Sequence, residues 1–407
     1  MRVLLLTQYF PPEIGATQNR MSEFAAALAA AGHDVEVLTE VPNHPSGIVP
    51  AAYRDRWIYR ENERGYRVTR VWVLARPRKT FVTRVGFYST FFFMAILASL
   101  AGRQRYDVVV ATTPPLTVAA AGLTLSRLKR APFVVAVSDL WPEAAAALGE
   151  ISNPLLYRAA ARLEHAVYRG ARAITATTEP FCASIAAHGS AATVTHVPNG
   201  TRPDLFISTP EARAAFRQRH DFGDRFVVAY IGLHGIAQGL EVVLEAAPSL
   251  PEALFVLVGE GPRKRALVEE CERRGCRNVR FFDEVPSAEV ADVMAAADAL
   301  LVTLSAAPVF KTFVPSKMFD AMAAARPVLL MVDGEARRIL EASGAGVYAP
   351  PGDAGRLAAA VTALQRNPVE RERMGAAGRA FVTAHYDRRE QAARFARIVA
   401  AAAEGPS

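Results

Sequence analysis

Two series of short, uninterrupted apolar segments most constrain the fold of this chain. Such segments, rich in Val, Leu and Ile and without polar alternation, are typical of parallel strands covered on both faces. A helix is expected over roughly residues 18–31, between the first two segments, and Gly32 closes it. The first series therefore predicts a doubly wound α/β domain. Its segments are residues 3–7, 35–38, 108–111, 133–137 and 173–176.

The second series predicts a second domain of the same kind. It consists of residues 226–231, 254–258, 279–282, 299–302, 328–331 and the neighbourhood of Val347. Residues 197–224 separate the two series and contain Asn199-Gly200 and three prolines, so they are the expected linker. We expect an N-terminal domain over 1–200, a C-terminal domain over 201–384, and a cleft that the carboxyl ends of both sets of strands face.

Composition narrows the class of protein. Of 407 residues, 51% are hydrophobic and 21% charged, which excludes a largely disordered chain. The three cysteines show no Cys-x-x-Cys spacing, which argues against a disulfide framework or a thiolate metal site. Four apolar residues at positions 3–6 are too few for a signal peptide, so we expect a cytoplasmic location.

Two loops of the first domain carry candidate site residues. Gly15 and Ala16 follow the first strand, where a close backbone approach at a helix N-terminus suits an anion, and Arg20 is expected in the first helical turn. The alternative is an ordinary loop with Thr17 as N-cap. The second loop, at 138–143, follows a strand and contains Asp139, Trp141 and Glu143. Its alternative is that Asp139 caps a helix and Trp141 belongs to the core.

Two glycine-containing loops follow strands of the second domain. Residues 232–239 hold three glycines between a strand and a helix, and this context predicts a phosphate cradle of backbone N–H groups. The spacing fits neither a dinucleotide motif nor a Walker loop, and a simple glycine turn stays open. Residues 259–262 repeat the arrangement, and Lys264 beyond them is interpreted as solvated surface.

Lys317 is the most informative charged residue. It falls in the first turn of a predicted helix, where a cation opposes the helix dipole, so an anionic partner is expected to offset the cost. The alternative is a lysine that extends to water. Asp320 lies three residues on, on the same face of the helix. No Asp-x-Asp, His-Glu-x-x-His or Gly-x-Ser-x-Gly motif is present, so neither a metal site nor a hydrolytic nucleophile is indicated.

In this order, the motifs resemble retaining glycosyltransferase family 4, whose fold is GT-B, over nearly the whole chain. They look most similar to the bacterial branch that transfers N-acetylated amino sugars or related deoxy sugars in O-antigen and capsule assembly. The segments that carry the resemblance are 9–15, 139–143, 198–200, 232–239, 259–262 and 315–317.

The resemblance implies a donor held by the C-terminal domain, an acceptor held by the N-terminal domain, and a last helix over about 385–407 that crosses back to the first domain. The acceptor or diphosphate side would comprise Gly15, Ala16, Arg20, Trp141 and Glu143. The implied nucleotide-sugar-binding residues are Gly232, His234, Gly235, Gln238, Gly259, Glu260, Gly261, Val285, Phe313, Val314, Pro315, Ser316 and Asp320. Asp320 would bind the ribose hydroxyls, and the loop 313–317 would present N–H groups to the diphosphate.

Departures from the family pattern shift the expected sources of positive charge. Thr312 replaces one of two carboxylates spaced eight apart, and Leu233 and Gln238 replace an Arg and a Lys. The diphosphate is thereby short of cations. The expected replacements are Lys317, His234, Lys311 and Arg20.

The implied reaction moves a sugar from UDP to an acceptor hydroxyl with retention of the anomeric configuration. It needs no metal and no cofactor besides the UDP-sugar co-substrate. Lys317 would stabilise the leaving diphosphate, and Asp139, or next Glu13, would act at the acceptor hydroxyl. Two alternatives stay open: a sugar-nucleotide 2-epimerase of the same fold, and a non-catalytic nucleotide-sugar-binding membrane protein.

The net charge of +7 belongs to the first domain. Residues 1–200 contain 21 basic and 14 acidic residues, and 54–105 alone contain 12 and 3. Within this segment, 85–102 carry no charge and are interpreted as a buried helix, an interfacial helix or a membrane span. We expect an anionic membrane and a lipid-linked saccharide acceptor as partners, no nucleic acid, and peripheral attachment to the inner face of the cytoplasmic membrane.

Overall fold

The computed structural model describes residues 1–44, 46–77, 80–147, 149, 151–189 and 192–404. The side chains of residues 81, 82, 287 and 288 also lie outside the description. The chain divides into two compact units. Unit 1 comprises residues 1–199 and the C-terminal segment from Arg388, and unit 2 comprises Gly200–Asp387. The division falls within one residue of the expected domain boundary at 200/201.

Unit 1 is built on an eight-stranded sheet in the order β3-β4-β2-β1-β5-β6-β7-β8. All neighbouring strands are parallel except β3 and β4, which form an antiparallel hairpin through Arg64 and Gly65. The strands are β1 (Arg2–Leu6), β2 (Asp34–Glu40), β3 (Ile58–Glu63), β4 (Tyr66–Val71), β5 (Val108–Thr113), β6 (Phe133–Val137), β7 (Ala173–Ala176) and β8 (Thr193–His196).

Six α-helices connect these strands within the described residues. α2 begins after Thr80, whose hydroxyl accepts a hydrogen bond from the N–H of Thr83, and α5 begins after Asn153 with Pro154 as its first residue. They are α1 (Ala16–Ala30), α2 (Phe81–Ala101), α3 (Leu116–Lys129), α4 (Glu143–Ala147), α5 (Pro154–Gly170) and α6 (Glu179–Ala187).

Unit 2 contains a six-stranded, fully parallel sheet in the order β11-β10-β9-β12-β13-β14. Its strands are β9 (Phe226–Ile231), β10 (Ala253–Val258), β11 (Val279–Phe282), β12 (Ala299–Thr303), β13 (Val328–Met331) and β14 (Gly346–Tyr348). Its helices are α7 (Pro210–Arg219), α8 (Glu241–Ala246), α9 (Lys264–Arg274), α10 (Ser287–Ala296), α11 (Ser316–Ala323), α12 (Glu335–Ser343), α13 (Ala354–Arg366) and α14 (Pro368–His385).

The last helix, α15 (Arg388–Glu404), belongs to unit 1 and packs against α1. Phe395 of α15 stacks on Phe24 of α1 with 3.9 Å between ring centroids, and both rings are fully buried. This is the helix expected over 385–407. Of that expected range, residue 385 ends α14, residues 386–387 form the loop before α15, and residues 405–407 lie outside the described residues.

The expected strands are present, with bounds that agree to within two residues. The edge strand β8 was missed, and its four residues, Thr-Val-Thr-His, contain a single apolar one. The hairpin of β3 and β4 was missed as well. Their sequence mixes Arg, Glu and Asn with few apolar residues, so it lacks the uninterrupted pattern of buried parallel strands. Two arginines of this hairpin form ion pairs within unit 1, and that of Arg70 is buried on the arginine side. Arg70 is 2% exposed and bonds Glu61, and Arg67 pairs with Asp34.

α2 has one buried and one exposed side. Phe91, Ala95 and Ala98 are buried, and the helix packs against α3 and β4. The opposite side leaves Phe93 and Leu97 about 60% exposed, at 62% and 59%. By length and composition the stretch 83–101 could cross a bilayer, and 22% of its apolar window is buried.

Candidate active site

Two glycine loops of unit 2 touch backbone to backbone at the carboxyl ends of β9 and β10. The N–H of His234 donates to the carbonyl of Glu260 at 2.8 Å, and the N–H of Gly232 donates to that of Val258 at 2.9 Å. Gly259 has φ 139° and no room for a Cβ, which would collide with the carbonyl oxygen of Gly232. The contact between the two loops therefore requires glycine at position 259.

His234 belongs to the first of these loops and is fully buried. Its ring is next to Tyr230 and Phe281, and neither ring nitrogen has a hydrogen-bond partner among the described residues. Burial and then the charge of Lys264 lower the pKa of His234 to about 4. The imidazole is therefore neutral at pH 7, and the expectation that His234 replaces a missing cation is wrong.

Lys317 is the cation that reaches the loop. It is the second residue of α11, as expected, and its half-buried side chain donates from Nζ to the Tyr230 hydroxyl at 2.6 Å. Burial lowers the pKa of Lys317 to about 7, and Asp320 opposes that effect. The side chain turns into the unit instead of extending to water, which removes the solvated alternative.

Asp320 and the segment before it are held in place within unit 2. The hydroxyl of Thr201 donates to Asp320 Oδ1 at 2.7 Å. Phe313, Val314, Pro315 and Ser316 are half-buried. Proline has no N–H, and that of Phe313 already donates to the carbonyl of Phe310 at 3.1 Å. At most three N–H groups of 313–317 can therefore reach a diphosphate, fewer than expected.

Lys264 was interpreted as solvated surface, and this is wrong. Its Nζ donates to Glu260 Oε1 and Asp283 Oδ1, both at 2.6 Å, and to the carbonyl of Phe282 at 3.1 Å. Burial opposes the charge, but the hydrogen bonds to Asp283 and Glu260 raise the pKa of Lys264 overall. The ammonium thus joins the loops after β10 and β11, which contain Glu260, Gly261 and the half-buried Val285 of the implied nucleotide-sugar-binding residues.

Three other predicted residues of unit 2 contact neighbouring groups of the same unit or have no hydrogen-bond partner among the described residues. Gln238 lies in a short 3₁₀ turn, and its buried Oε1 has no partner among the described residues. Gly235 packs against this same oxygen, and a Cβ there would lie 2.5 Å from it. Lys311 points to Asp333 at 3.6 Å and is largely exposed, so it pairs with a carboxylate of its own unit.

Arg20 and Asp139 are two charged residues of unit 1 whose charges interact. α1 begins at Ala16 with Gly15 as N-cap, so Arg20 lies in the second turn rather than the first, and Thr17 is not the cap. The guanidinium is buried and donates to Ser138 Oγ at 3.2 Å and to the carbonyl of Val197 at 3.1 Å. Burial lowers the pKa of Arg20 to about 10, so it stays charged at neutral pH.

Asp139 follows β6, as expected, and is half-buried. Burial raises the pKa of Asp139 to about 6, and the charge of Arg20 opposes this. Trp141 beside it is half-buried, and Glu143 is exposed at the start of α4. A carboxylate with a pKa of about 6 can take up a proton near neutral pH, which is a property of general bases.

Glu13, the second candidate for acting at the acceptor hydroxyl, holds two loops of unit 1 together. Its Oε1 accepts hydrogen bonds from the N–H groups of Asn43 and His44, both at 2.7 Å, so it ties the loop after β1 to the loop after β2. Its Oε2 is buried and has no partner among the described residues. Burial raises the pKa of Glu13, and the two backbone hydrogen bonds oppose this.

Sequence reasoning missed Tyr230, Thr201 and Ser138, which fix three of the predicted residues. Tyr230 alone carried a signal, because it is a polar residue in an otherwise apolar strand. Among the described residues, no group of three or more His, Cys, Asp or Glu side chains lies close enough to hold a metal ion.

Comparison with known families gives two matches that together leave out only residues 1–14, 201–211 and 382–407. Residues 15–200 match the Glycosyl transferase 4-like domain, and residues 212–381 match the Glycosyl transferases group 1 domain. The first match lies in unit 1 except for its last residue, and the second lies in unit 2.

Two curated relatives are similar at moderate identity. A protein of Escherichia coli (strain K12), described as the colanic acid biosynthesis glycosyl transferase WcaI, is 26% identical over 291 residues, which are 69% of this chain and 71% of that protein. A GDP-mannose-dependent phosphatidylinositol monomannoside mannosyltransferase of Mycolicibacterium smegmatis is 27% identical over 220 residues, which are 52% and 58% of the two chains.

Solved structures share the fold. The sucrose-phosphate synthase of Thermosynechococcus elongatus matches with a TM-score of 0.76 at 20% identity, over 98% of both chains. HepE of Anabaena, in complex with UDP-glucose, matches with a TM-score of 0.73 at 18% identity, over 98% of this chain and 100% of that one. The two parallel-sheet units thus have the GT-B fold.

Proposed function

This chain belongs to the glycosyltransferases of the family 4-like and group 1 type, and from that premise we propose that it moves a sugar from UDP to a lipid-diphosphate-linked saccharide in surface polysaccharide synthesis. The transferred sugar is an N-acetylated amino sugar, and its anomeric configuration is retained. The observation that carries the proposal is the ammonium of Lys317, which is placed against the glycine loop 232–239 at the carboxyl end of β9.

Departure of UDP is the step that unit 2 assists. Breaking the bond between sugar and diphosphate leaves negative charge on the phosphate oxygens. Lys317, the N-terminus of α11 and the N–H groups of the glycine loop other than those of Gly232 and His234 meet that charge. Such fixed donors stabilise the transition state more than the ground state. Asp320 takes the ribose hydroxyls, and the loops joined by Lys264 take the base.

Unit 1 holds the acceptor in this proposal. Asp139 is ionised above about pH 6 and accepts the proton of the attacking hydroxyl or orients the sugar. Arg20 keeps the carboxylate charged when it is desolvated, because its guanidinium is close and stays protonated. Glu13 supports the site by holding the loop at Asn43 and His44.

The donor nucleotide has two candidates among the relatives. HepE was solved with UDP-glucose, and the mycobacterial relative depends on GDP-mannose. We propose UDP, because the sequence resembles a branch that transfers N-acetylated amino sugars. A calorimetric screen of UDP-N-acetylhexosamines, UDP-hexoses and GDP-sugars tests this choice. Tighter binding of GDP-mannose than of every UDP-sugar would refute it.

A lipid-linked acceptor requires contact with a membrane, and we propose that α2 supplies it. Its exposed side carries Phe93, Leu97 and Leu100, and Arg84 and Arg103 are exposed near its ends. Apolar side chains flanked by arginines favour an anionic bilayer surface. Arg78 and Lys79 precede this helix but lie outside the described residues. Attachment to the inner face of the cytoplasmic membrane follows from the same proposal.

A transfer assay separates the proposal from its alternatives. Purified enzyme, UDP-sugar and a lipid-diphosphate saccharide are expected to release UDP in proportion to the glycosylated product. Consumption of the donor without acceptor would instead indicate a sugar-nucleotide 2-epimerase. Tight donor binding without turnover on a broad acceptor panel would indicate a non-catalytic binding protein. An inverted anomer in the product would refute retention.

A further inference from the structure

The hydroxyl of Tyr230 links Lys317 to Leu233 through two hydrogen bonds whose donors and acceptors cannot be exchanged. Tyr230 is the penultimate residue of β9 and is fully buried. Its hydroxyl donates to the carbonyl oxygen of Leu233 at 2.8 Å, and it accepts a hydrogen bond from Lys317 Nζ at 2.6 Å. A carbonyl oxygen can only accept, so the phenolic proton is committed to Leu233 and the phenolic oxygen is left for the ammonium.

Packing alone does not require this hydroxyl. The other residues of β9 are apolar, and a phenylalanine would fill nearly the same space without a polar group to bury. A buried hydroxyl is unfavourable unless its hydrogen bonds are made, and here both partners belong to the proposed diphosphate site. Leu233 lies in the glycine loop, and Lys317 begins α11.

Gly232 shows how closely the ammonium approaches the loop. A Cβ at this position would lie 2.7 Å from Lys317 Nζ. The ammonium nitrogen is also 3.9 Å from the centre of the Tyr230 ring. The loop backbone, the phenol and the ammonium are therefore packed against one another.

We propose that Tyr230 is a positioning residue for the transfer reaction: it fixes the Lys317 ammonium and the 232–235 loop at one spacing, so that both meet the same diphosphate. The proposal rests on the proposed function of this loop. Lys317 carries three N–H donors, and one is directed to Tyr230, which leaves two for the phosphate oxygens. The titratable groups that face Lys317 are Tyr230, His234 and Asp320.

The first test measures the ammonium directly and needs no substrate. In the wild type, the Tyr230 oxygen accepts a hydrogen bond from the ammonium and so favours the charged form of Lys317. Tyr230→Phe removes this oxygen, so the pKa of Lys317 should fall. Competitive acylation of lysines as a function of pH, read by mass spectrometry, reports this group, with the exposed Lys311 as internal reference. We expect the Lys317 midpoint to move down by about one pH unit in Tyr230→Phe.

The second test measures nucleotide binding. UDP affinity is expected to fall about tenfold in Tyr230→Phe, and kcat to fall by a similar factor, because the loop and the cation lose their spacing. Tyr168→Phe is the matched control. Tyr168 is also buried and bonds a carboxylate, Glu164, at 2.8 Å, but in unit 1. We expect it to leave UDP affinity and the Lys317 midpoint unchanged.

The outcomes separate the two levels of inference. An unchanged Lys317 midpoint together with unchanged UDP affinity in Tyr230→Phe overturns the positioning role. If Tyr230→Phe shifts the Lys317 midpoint but the wild-type chain binds no nucleoside diphosphate, the pairing is supported and the proposed function is refuted. If Tyr230→Phe fails to fold, Gly232→Ala tests the same cluster, because its Cβ displaces Nζ; an unchanged midpoint and affinity there also overturn the proposal.

Discussion

Replacement of Lys317 by alanine is expected to slow transfer far more than it weakens folding. The side chain is half-buried and its Nζ is held by Tyr230 at 2.6 Å, so the cation is fixed before the donor arrives. Removal of one pre-oriented donor to a developing anion typically costs about 3 kcal/mol, or about 10² to 10³ in kcat. We expect a loss in that range for Lys317→Ala.

The pH dependence of donor use provides an independent measure of the same group. The pKa of Lys317 is lowered to about 7, and the charged form exists below this value. As pH rises through about 7 the free enzyme loses the cation, and kcat/KM for the donor falls toward tenfold per pH unit. Bound diphosphate raises the pKa, so the basic limb of kcat is expected at higher pH.

Lys317→Arg separates charge from placement. Arginine stays protonated throughout the accessible pH range, so the basic limb of kcat/KM should disappear. Its planar guanidinium does not reproduce the single contact to Tyr230, so kcat should stay below that of the wild type. Arg265→Ala serves as the control, since the side chain of Arg265 is 92% exposed and, in the described part of the chain, pairs with Glu269 of its own helix.

Steady-state assays of UDP release from pH 5.5 to 9 measure all of these variants. Full wild-type kcat in Lys317→Ala would refute the leaving-group role. A basic limb that persists in Lys317→Arg would show that another group titrates there.

Three further predictions concern other parts of the chain. Asp139→Asn should remove the acidic limb near pH 6 in kcat/KM and lower kcat about 10²-fold or more, and a persistent limb would exclude this carboxylate as the base. Lys264→Ala should weaken UDP binding severalfold in calorimetry with little change in kcat, because the two loops that its ammonium joins come apart; unchanged affinity would contradict this. Phe93→Glu should reduce sedimentation with vesicles of anionic phosphatidylglycerol, while Val369→Glu, at a more exposed site of unit 2, should not; equal binding of both variants would refute the role of α2.

The backbone of this protein could be predicted well because its strands are buried on both faces. Uninterrupted apolar segments such as 226–231 and 328–331 have the same bounds in the structure. The hairpin of β3 and β4 could not be predicted in this way. It forms one edge of the sheet and contains charged residues whose partners, Asp34 and Pro11, are distant in sequence.

The sequence predicted the positions of the site residues better than their protonation states and hydrogen-bond partners. The glycine loops and Lys317 are where their spacing placed them, since local rules govern loops and helix starts. The neutral His234, the engaged Lys264 and the inward Arg20 follow from burial and from partners on other strands and helices. Such tertiary contacts leave no local pattern, so sequence alone assigned His234 a charge and Lys264 to the surface.

The most direct test of the account is the product of a complete reaction with UDP-sugar and a lipid-diphosphate saccharide. NMR of the product should show one added sugar with the anomeric configuration of the donor, and UDP should appear in equal amount. An inverted linkage would contradict the retaining assignment. Donor turnover that is independent of acceptor would contradict sugar transfer itself.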